Sequence, residues 1–353
     1  MKTTLACFVA VMVVSTRSIA ADYPQRAALG AQSASVGVGK ATVPLLQRQV
    51  GPGANVIGSQ LLAHFASSSA AITTGGNYKT TQNAAKVDFS GDDGWKLTVY
   101  GDGSAVEFRN WPYRTAHLIA VPPAQQPTLD TLETWGRNFI NQNLAGVISL
   151  GPNEQLVQSH ARFESQGYAT AADRGPAATS IVGAIVVFSR TINGTALVGY
   201  GSKIAVRFTV DGTPWAFSYD WPSYSNAGVT QAVLSLATIR QRQSKLLQAP
   251  AKAIGQKEMR FECGYFDPGV RHRDPNALVQ GGCMSVDAFT EVGDPARYAA
   301  DPTNGLVRSG SIVVIPAGAT MAADKSWPEI GVLQGNGATQ AGGRVTLPNT
   351  TQP

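Results

Sequence analysis

Two stretches of the chain repeat one pattern of alternating apolar residues around an Asp-Gly pair. The first runs from Trp95 to Trp111 and contains Asp102-Gly103, and the second runs from Ile204 to Trp221 and contains Asp211-Gly212. Alternation with a period of two is typical of strands that are buried on one face, and Asp-Gly readily adopts the positive φ angles of tight turns. Each closing Trp is followed by Pro, which has no N–H for strand pairing, so each strand should end there. The sequence therefore predicts two antiparallel hairpins of one design.

A helical pattern follows each hairpin. Apolar residues recur at helical spacing from Leu129 to Ile140, and again from Val229 to Leu246 before Pro250. Further strands are predicted at 155–169, 181–192, 259–266, 284–289 and 311–315. Together these elements predict an α+β fold with two related layers, each an antiparallel β-sheet packed on a helix, and C-terminal strands joined by a disulfide.

The two ends of the chain differ in composition from its middle. Residues 1–21 combine an early Lys, an apolar run and small residues at the end, which is typical of a secretory signal peptide. The apolar run is shorter than the roughly 20 residues that cross a bilayer, so no transmembrane span is expected. After the signal we expect a low-complexity lead-in at 22–85, with a short helix near 59–67. Two hairpin–helix units should follow at 86–150 and 151–250, then a C-terminal β segment at 251–334 and a flexible tail at 335–353.

Two cysteines remain once the predicted signal, which contains Cys7, is removed. Cys263 and Cys283 would then lie in an oxidising compartment, where a disulfide closing a loop of about 20 residues contributes roughly 3 kcal/mol. The alternative is a free or metal-bound pair. A metal would need two more ligands, and only His272 lies nearby in the sequence.

The charge pattern argues against a nucleic-acid partner. Charged residues make up 14% of the chain and the formal net charge is +5, part of which belongs to the predicted signal. No run of Lys and Arg suited to tracking phosphates is present.

No arrangement typical of a catalytic, metal or cofactor site occurs in the sequence. None of the four histidines lies in an H-E-x-x-H motif, and no G-x-S-x-G motif is present. We therefore expect no catalytic residue, metal or cofactor. The carboxylates around Asp92 and Asp93 keep a hydrolase open as an alternative, although acidic residues beside glycines also favour a plain turn.

Aromatic residues after the two hairpins are the first candidate binding site. Trp111 and Tyr113 belong to the first copy, and Trp221 and Tyr224 to the second. They could line a groove between the two layers for an extended peptide or a sugar, or they could close a hydrophobic core. Arg271 and His272 form a second candidate binding site, because they lie in a charged loop that the predicted disulfide would close. This loop could be a rigid recognition loop or a plain solvated turn.

The segment FSRTINGTALVGYGSKIAVRFTVDGTPWAFSYDWP, residues 188–222, resembles the PepSY and thermolysin-propeptide-like modules of secreted bacterial proteins. The shared features are an aromatic-x-Arg strand, a turn with Gly, a VGxGS segment, an alternating strand, Asp-Gly and a closing Trp, with a partial second copy at 95–112. The resemblance implies a small sheet around a helix, located outside the cytoplasm, that modulates a peptidase or serves as an interaction module. No protease follows the segment in this chain.

The sequence therefore predicts a secreted or periplasmic, non-enzymatic binding protein of PepSY-like build. Its expected partner is an extracytoplasmic protein or peptide, held at a sheet edge or in the groove between the layers. Two alternatives stay open, namely a hydrolase with scattered carboxylates and a cell-surface assembly component that docks through residues 22–60 or the tail.

Overall fold

The computed structural model describes residues 42–167, 179–247, 249, 253–274, 276–301 and 306–318. The predicted signal peptide, the start of the predicted lead-in and the predicted tail lie outside these residues. The strands are β1 (Thr42–Arg48), β2 (Tyr78–Gln82), β3 (Lys86–Gly91), β4 (Lys96–Tyr100), β5 (Ala105–Arg109), β6 (Glu154–Gly167), β7 (Thr179–Ile192), β8 (Thr195–Gly199), β9 (Lys203–Phe208), β10 (Pro214–Asp220), β11 (Tyr224–Ala232), β12 (Ala253–Asp267), β13 (Gly281–Val292) and β14 (Leu306–Pro316). The helices are α1 (Ala54–Phe65), α2 (Trp111–Ala116), α3 (Leu129–Phe139), α4 (Leu236–Leu246) and α5 (Pro295–Ala300), with a 3-10 turn at Pro123–Gln125 and a π-helical continuation of α3 at Ile140–Leu144.

One large sheet takes the place of the two predicted layers. It contains 12 strands, in the order β14-β13-β12-β8-β7-β9-β10-β5-β4-β3-β2, and β6 pairs with β7 beside that path. Both predicted hairpins form, as β4–β5 and β9–β10, but β5 pairs directly with β10 and places Phe108 opposite Phe217. The predicted α+β architecture of two sheet-and-helix layers is therefore wrong. The protein is mostly β, because the two hairpins share one sheet and bury one common face.

The buried face of this sheet, which we call the inner face, is covered by α1 and α3. Helix α1 lies on β3 and β4, and α3 lies on β6 and β7. Helix α3 begins where Thr128 accepts a hydrogen bond from the Thr131 N–H at 3.1 Å. The centre of the core is aromatic, with the rings of Phe108 and Phe217 stacked 5.4 Å apart. Its aromatic members are Phe65, Phe89, Trp95, Phe108, Phe139, Phe188, Phe208, Phe217, Tyr219 and Trp221.

The helix predicted from Val229 begins later than expected. Residues up to Ala232 form β11, which pairs with β1 in a separate two-stranded sheet. Helix α4 starts only after Ser235, which accepts a hydrogen bond from the Thr238 N–H at 3.2 Å. It then packs on β14, so it does not cover the second hairpin. Pairing with β1, a segment predicted to be low-complexity lead-in, outweighs the helical spacing of the apolar residues.

The predicted disulfide is confirmed. Cys263 of β12 lies opposite Cys283 of β13, and their sulfur atoms are 2.06 Å apart. The bond is buried beside Ile239 of α4. It therefore joins the central strands of the C-terminal part of the sheet.

The opposite face of the sheet, which we call the outer face, carries charged side chains beside buried apolar residues such as Ile185. Side chains alternate between the two faces of a strand, so residues that neighbour the core positions point outward. The strand register aligns one outward residue from each of six neighbouring strands in a row. These are Arg162 of β6, Ile185 of β7, Arg207 of β9, Ala216 of β10, Arg109 of β5 and Lys96 of β4. One end of this outer face carries the site described next.

Candidate functional site

Helix α2 is fixed at the end of β5 by the residue that precedes it. The Asn110 side chain accepts a hydrogen bond from the Tyr113 N–H at 3.0 Å, and its amide group donates to the Ala70 carbonyl at 3.1 Å. Both contacts hold the first turn of α2 against the segment that follows α1. Pro112, the second residue of the helix, suits this position because its missing N–H has no partner in a first turn. The short helix therefore presents Trp111 in a defined place.

Trp111 packs on a second tryptophan that a bulge turns out of the strand ladder. The register of β10 against β9 shifts between Pro214 and Ala216, which makes Trp215 the additional residue. Trp215 is 1% exposed and Trp111 is 50% exposed, and their ring centroids lie 4.8 Å apart. The Trp215 indole N–H is buried and has no hydrogen-bond partner among the described residues, which is unusual for a buried donor. The exposed half of Trp111 is thus held at the protein surface by a buried ring.

Two arginines lie on these rings and share one carboxylate. The guanidinium carbon of Arg114 lies 5.8 Å from the Trp111 ring centroid and 5.2 Å from that of Trp215. Its Nη2 donates to Oε2 of Glu164 at 3.1 Å. Arg207 donates to the other carboxylate oxygen of Glu164 and lies 6.0 Å from the Trp215 centroid. Cation–π contacts and ion pairs together fix both guanidinium groups. We call these five residues the arginine–tryptophan cluster.

The surroundings of the cluster are exposed. Arg162 lies on β6 two residues before Glu164, and its side chain is exposed. Beyond α2, Leu118 is 41% exposed and Ile119 is 45% exposed. Large apolar residues beside Trp and Arg have the composition of the energetically dominant part of a protein interface. The geometry suits recognition of another chain.

The structure does not bring the two predicted aromatic pairs together. Trp111 and Tyr113 lie in α2 near the start of β10, and Tyr113 stacks on His117 with ring centroids 4.0 Å apart. Trp221 and Tyr224 lie beyond the other end of β10, whose seven residues span about 20 Å. Among the described residues no groove between layers joins them, because the hairpins lie side by side in one sheet.

Trp221 and Tyr224 instead contact a buried arginine. The guanidinium carbon of Arg190 lies 4.4 Å from the Trp221 centroid and 4.7 Å from the Tyr224 centroid. Arg190 also pairs with Glu154 at 3.1 Å. Trp221 is 6% exposed and donates its indole N–H to the Ser149 carbonyl at 3.2 Å. This end of β10 is a packed interior.

Two carboxylates and one arginine lie next to that interior. Asp267 is fully buried and accepts hydrogen bonds from the Tyr224 hydroxyl at 2.6 Å and from Arg273 Nη2 at 3.0 Å. Arg273 also pairs with Asp220. Arg48 Nη2 of β1 lies 3.7 Å from Asp267 Oδ1. We call this group the buried ion network, and it links both sheets.

The two carboxylates of the network titrate differently. Burial alone would raise the pKa of Asp267, but the Arg273 charge and the Tyr224 hydroxyl hold it below the usual range. Burial raises the pKa of Asp220 to about 6, with the Asp267 charge contributing and Arg273 opposing. Neighbouring carboxylates that share one cation commonly separate in this way. Asp267 is fully buried, whereas 13% of the Asp220 side chain is exposed.

The remaining predicted residues lie on exposed loops. Arg271 and His272 are exposed, and a hydrogen bond to Tyr100 raises the pKa of Arg271. The next residue, Arg273, enters the buried ion network. Asp92 and Asp93, the carboxylates considered for hydrolysis, lie exposed between β3 and β4.

Sequence reasoning missed most of the arginine–tryptophan cluster. It identified Trp111 but not Arg114, Glu164, Arg207 or Trp215, which come from four separate elements. Their contact depends on strand register and on the bulge at Trp215. The only local signal was Trp111, the Trp that closes the first predicted hairpin.

Comparisons with known proteins add little. No family model matches the chain, and no curated protein matches it. Among solved structures, it is similar to an uncharacterized protein from Eubacterium rectale ATCC 33656, with a TM-score of 0.49 and 6% sequence identity over 79% of this chain and 85% of that chain. The resemblance to PepSY modules stays a prediction.

Proposed function

We propose that this chain is a non-enzymatic binding protein that works outside the cytoplasm and holds an extended segment of a partner protein. The segment adds as a strand to the edge of β6 that pairs with none of the described strands, and the arginine–tryptophan cluster anchors its end. Two observations are compatible with an extracytoplasmic location. The chain contains a disulfide, and within the described residues no helix is long and apolar enough to cross a membrane.

The edge of β6 is the observation that carries this proposal. Among the described strands of the large sheet, β2, β6 and β14 each pair on one side only along their whole length, and β12 does so over residues 253–264. Strand β6 has 14 residues, whereas β2 has 5 and β14 has 11. An unpaired edge presents N–H and C=O groups that a peptide can pair with, whatever its side chains.

Two bulges define which part of β6 is suited to pairing. The register against β7 shifts between Gln158 and His160 and again between Glu164 and Ser165. The register is regular over residues 154–158 and again over residues 160–164. The second stretch ends at Glu164 of the cluster and is the one proposed for pairing. A partner strand of about five residues would pair there, with its end close to Trp111.

Trp111 supplies the anchor beside that strand. Its half-exposed ring is held by Trp215 and Arg114, so little side-chain freedom remains to be lost on binding. Rigid aromatic residues flanked by arginine commonly dominate binding energy. We therefore expect Trp111 to contribute more than any other exposed apolar residue.

Selection from a random peptide display library tests this proposal. The chain from residue 22 onward is immobilised, and the affinity of selected peptides is measured by fluorescence anisotropy. We expect peptides with strand-forming sequences, and Trp111→Ala should weaken them by at least about 10-fold. Tyr200→Ala is the matched control, because Tyr200 is also aromatic and 46% exposed but lies elsewhere.

N-methylated peptides test the strand pairing itself. Methylation of one alternate set of peptide amides should abolish binding, because those amides donate to β6, whereas methylation of the other set should leave it unchanged. Equal effects of both sets, or binding that does not depend on Trp111, would contradict the proposed mode.

A further inference from the structure

The outer face beside β6 carries more basic than acidic groups. In one row across the sheet, Arg162, Arg207, Arg109 and Lys96 share that face. Neighbouring strands lie about 4.8 Å apart, so the row spans about 24 Å. Arg207, Arg109 and Lys96 have Glu164, Glu107 and Asp88 as ionic partners. Arg162 makes no ion pair or hydrogen bond with any residue that the structure describes.

The same face is basic further along β6. His160 lies near Arg260, Arg162 and Lys203, and Arg260 Nη2 donates to Ser159 of β6 at 3.1 Å. His160 keeps an exposed surface, yet loss of solvent and then these three positive charges lower its pKa to about 4. Burial, with the Arg260 charge, likewise lowers the pKa of Lys203 to about 8. Glu262 balances part of this charge through its pair with Arg260 at 2.5 Å.

A strand added to the edge of β6 would meet these charges at regular intervals. His160, Arg162 and Glu164 lie on the outer face, opposite Val187, Ile185 and Gly183 of β7. Side chains directly opposite each other in paired strands have Cβ atoms about 5 Å apart. Every second side chain of the added strand would therefore lie on the outer face, and those near the middle would lie beside Arg162.

We propose that the segment held at β6 is an acidic peptide strand, with Asp or Glu at alternate positions facing Arg162. This inference rests on the proposed strand addition at β6 and names the chemistry of the partner. An exposed guanidinium that has no ion pair with any described residue, on a face with more basic than acidic groups, favours a carboxylate, and a bidentate pair would fix its position. A sulfated polysaccharide would also respond to the positive charge, but it would leave the backbone groups of β6 unpaired.

Three blocked peptides of one design test the inference. Each has seven residues in which Val alternates with Glu, Gln or Lys, and each is labelled for fluorescence anisotropy with the chain from residue 22 onward. We expect the Glu peptide to bind at least about 10-fold tighter than the Gln peptide, and the Lys peptide to bind weakest. The Glu preference should shrink at high salt, because exposed charges are screened.

Substitution of Arg162 tests the assigned contact. Arg162→Gln should lower the preference for Glu over Gln by about 10-fold while the affinity for the Gln peptide stays the same. The matched control is Arg137→Gln, because Arg137 is 41% exposed on α3, which covers the inner face. An unchanged preference in the Arg162 variant would overturn the inference.

The possible results distinguish a failure of the acidic preference from a failure of strand capture. If the Gln peptide binds as tightly as the Glu peptide, strand capture stands and the acidic preference is refuted. If no peptide binds, both proposals fall. If heparin fragments bind as tightly as the Glu peptide, and N-methylation does not affect the peptide, the ligand is a general polyanion and the inference is refuted.

Discussion

Replacing Asp267 with Asn removes the carboxylate that joins most of the buried ion network. Asp267 is fully buried and accepts hydrogen bonds from the Tyr224 hydroxyl at 2.6 Å, Arg273 at 3.0 Å and the Gly269 N–H at 3.0 Å. Arg48 adds an ion pair at 3.7 Å. The amide of Asn is nearly the same size and keeps one acceptor oxygen. The substitution therefore removes the charge without leaving a cavity.

The expected cost is large because two arginines lose the same partner. Breaking a buried ion pair by removing one charge typically costs about 3–5 kcal/mol. Arg273 retains Asp220, which limits the loss, whereas Arg48 has no second carboxylate within ion-pair distance among the described residues. We therefore expect the free energy of unfolding to fall by about 3 kcal/mol at pH 7.

Urea unfolding at several pH values measures this difference. The pKa of Asp267 is lower in the folded than in the unfolded protein, so its contribution is complete above the unfolded pKa of about 4 and is lost as pH falls through the folded pKa. The wild type and Asp267→Asn should thus differ most at neutral pH and converge in acid. Glu107→Gln is the control, since the Glu107–Arg109 pair is exposed and should contribute at most about 1 kcal/mol. A loss below about 1 kcal/mol for Asp267→Asn at pH 7 would refute the reasoning.

Three other substitutions test the fold. The pKa of Asp220 is raised from 3.8 to about 6 in the folded protein, so its contribution to stability falls by roughly 3 kcal/mol as pH rises from about 4 to about 6. In urea unfolding, Asp220→Asn should remove this fall, and an unchanged pH profile would contradict the assignment. Replacing Cys263 and Cys283 with Ser should cost about 3 kcal/mol and should abolish the effect of reductant on the thermal midpoint, while a midpoint equal to that of the oxidised wild type would count against a stabilising bond. Gly136→Ala should destabilise the protein by about 1–3 kcal/mol although Ala has the better helix propensity, because the new Cβ would lie 2.5 Å from the Phe188 ring. A more stable variant in the same assay would show that α3 can move away from the sheet.

Local sequence patterns predicted many of the strands and the two hairpins, but not how strands distant in the sequence pair. The hairpins around Asp102-Gly103 and Asp211-Gly212, helix α3 and the Cys263–Cys283 bond were all predicted, because each is encoded by neighbouring residues or by a chemical pairing rule. The pairing of β5 with β10 joins residues more than a hundred positions apart. No local pattern specifies such a contact, so two hairpins of one design were interpreted as two layers.

Of the candidate site, the sequence predicted only Trp111, because a Trp beside a strand end can be recognised from the sequence alone. Trp111 was identified as an aromatic residue beside a strand end, and it does lie exposed there. Arg162, Arg207 and Glu164 look like ordinary polar positions of alternating strands in the sequence. Their proximity depends on the register of β6, β7 and β9, and Trp215 joins them only because a bulge turns it toward α2.

Hydrogen–deuterium exchange with and without the acidic peptide tests strand capture at β6 most directly. A peptide that pairs with β6 should slow exchange of backbone amides in residues 160–164. Exchange in β2 and β14, which also pair with one described strand only, should stay unchanged. In the Arg162→Gln variant this protection should shrink. Binding without any protection in residues 160–164, or with protection confined to another edge, would contradict the account.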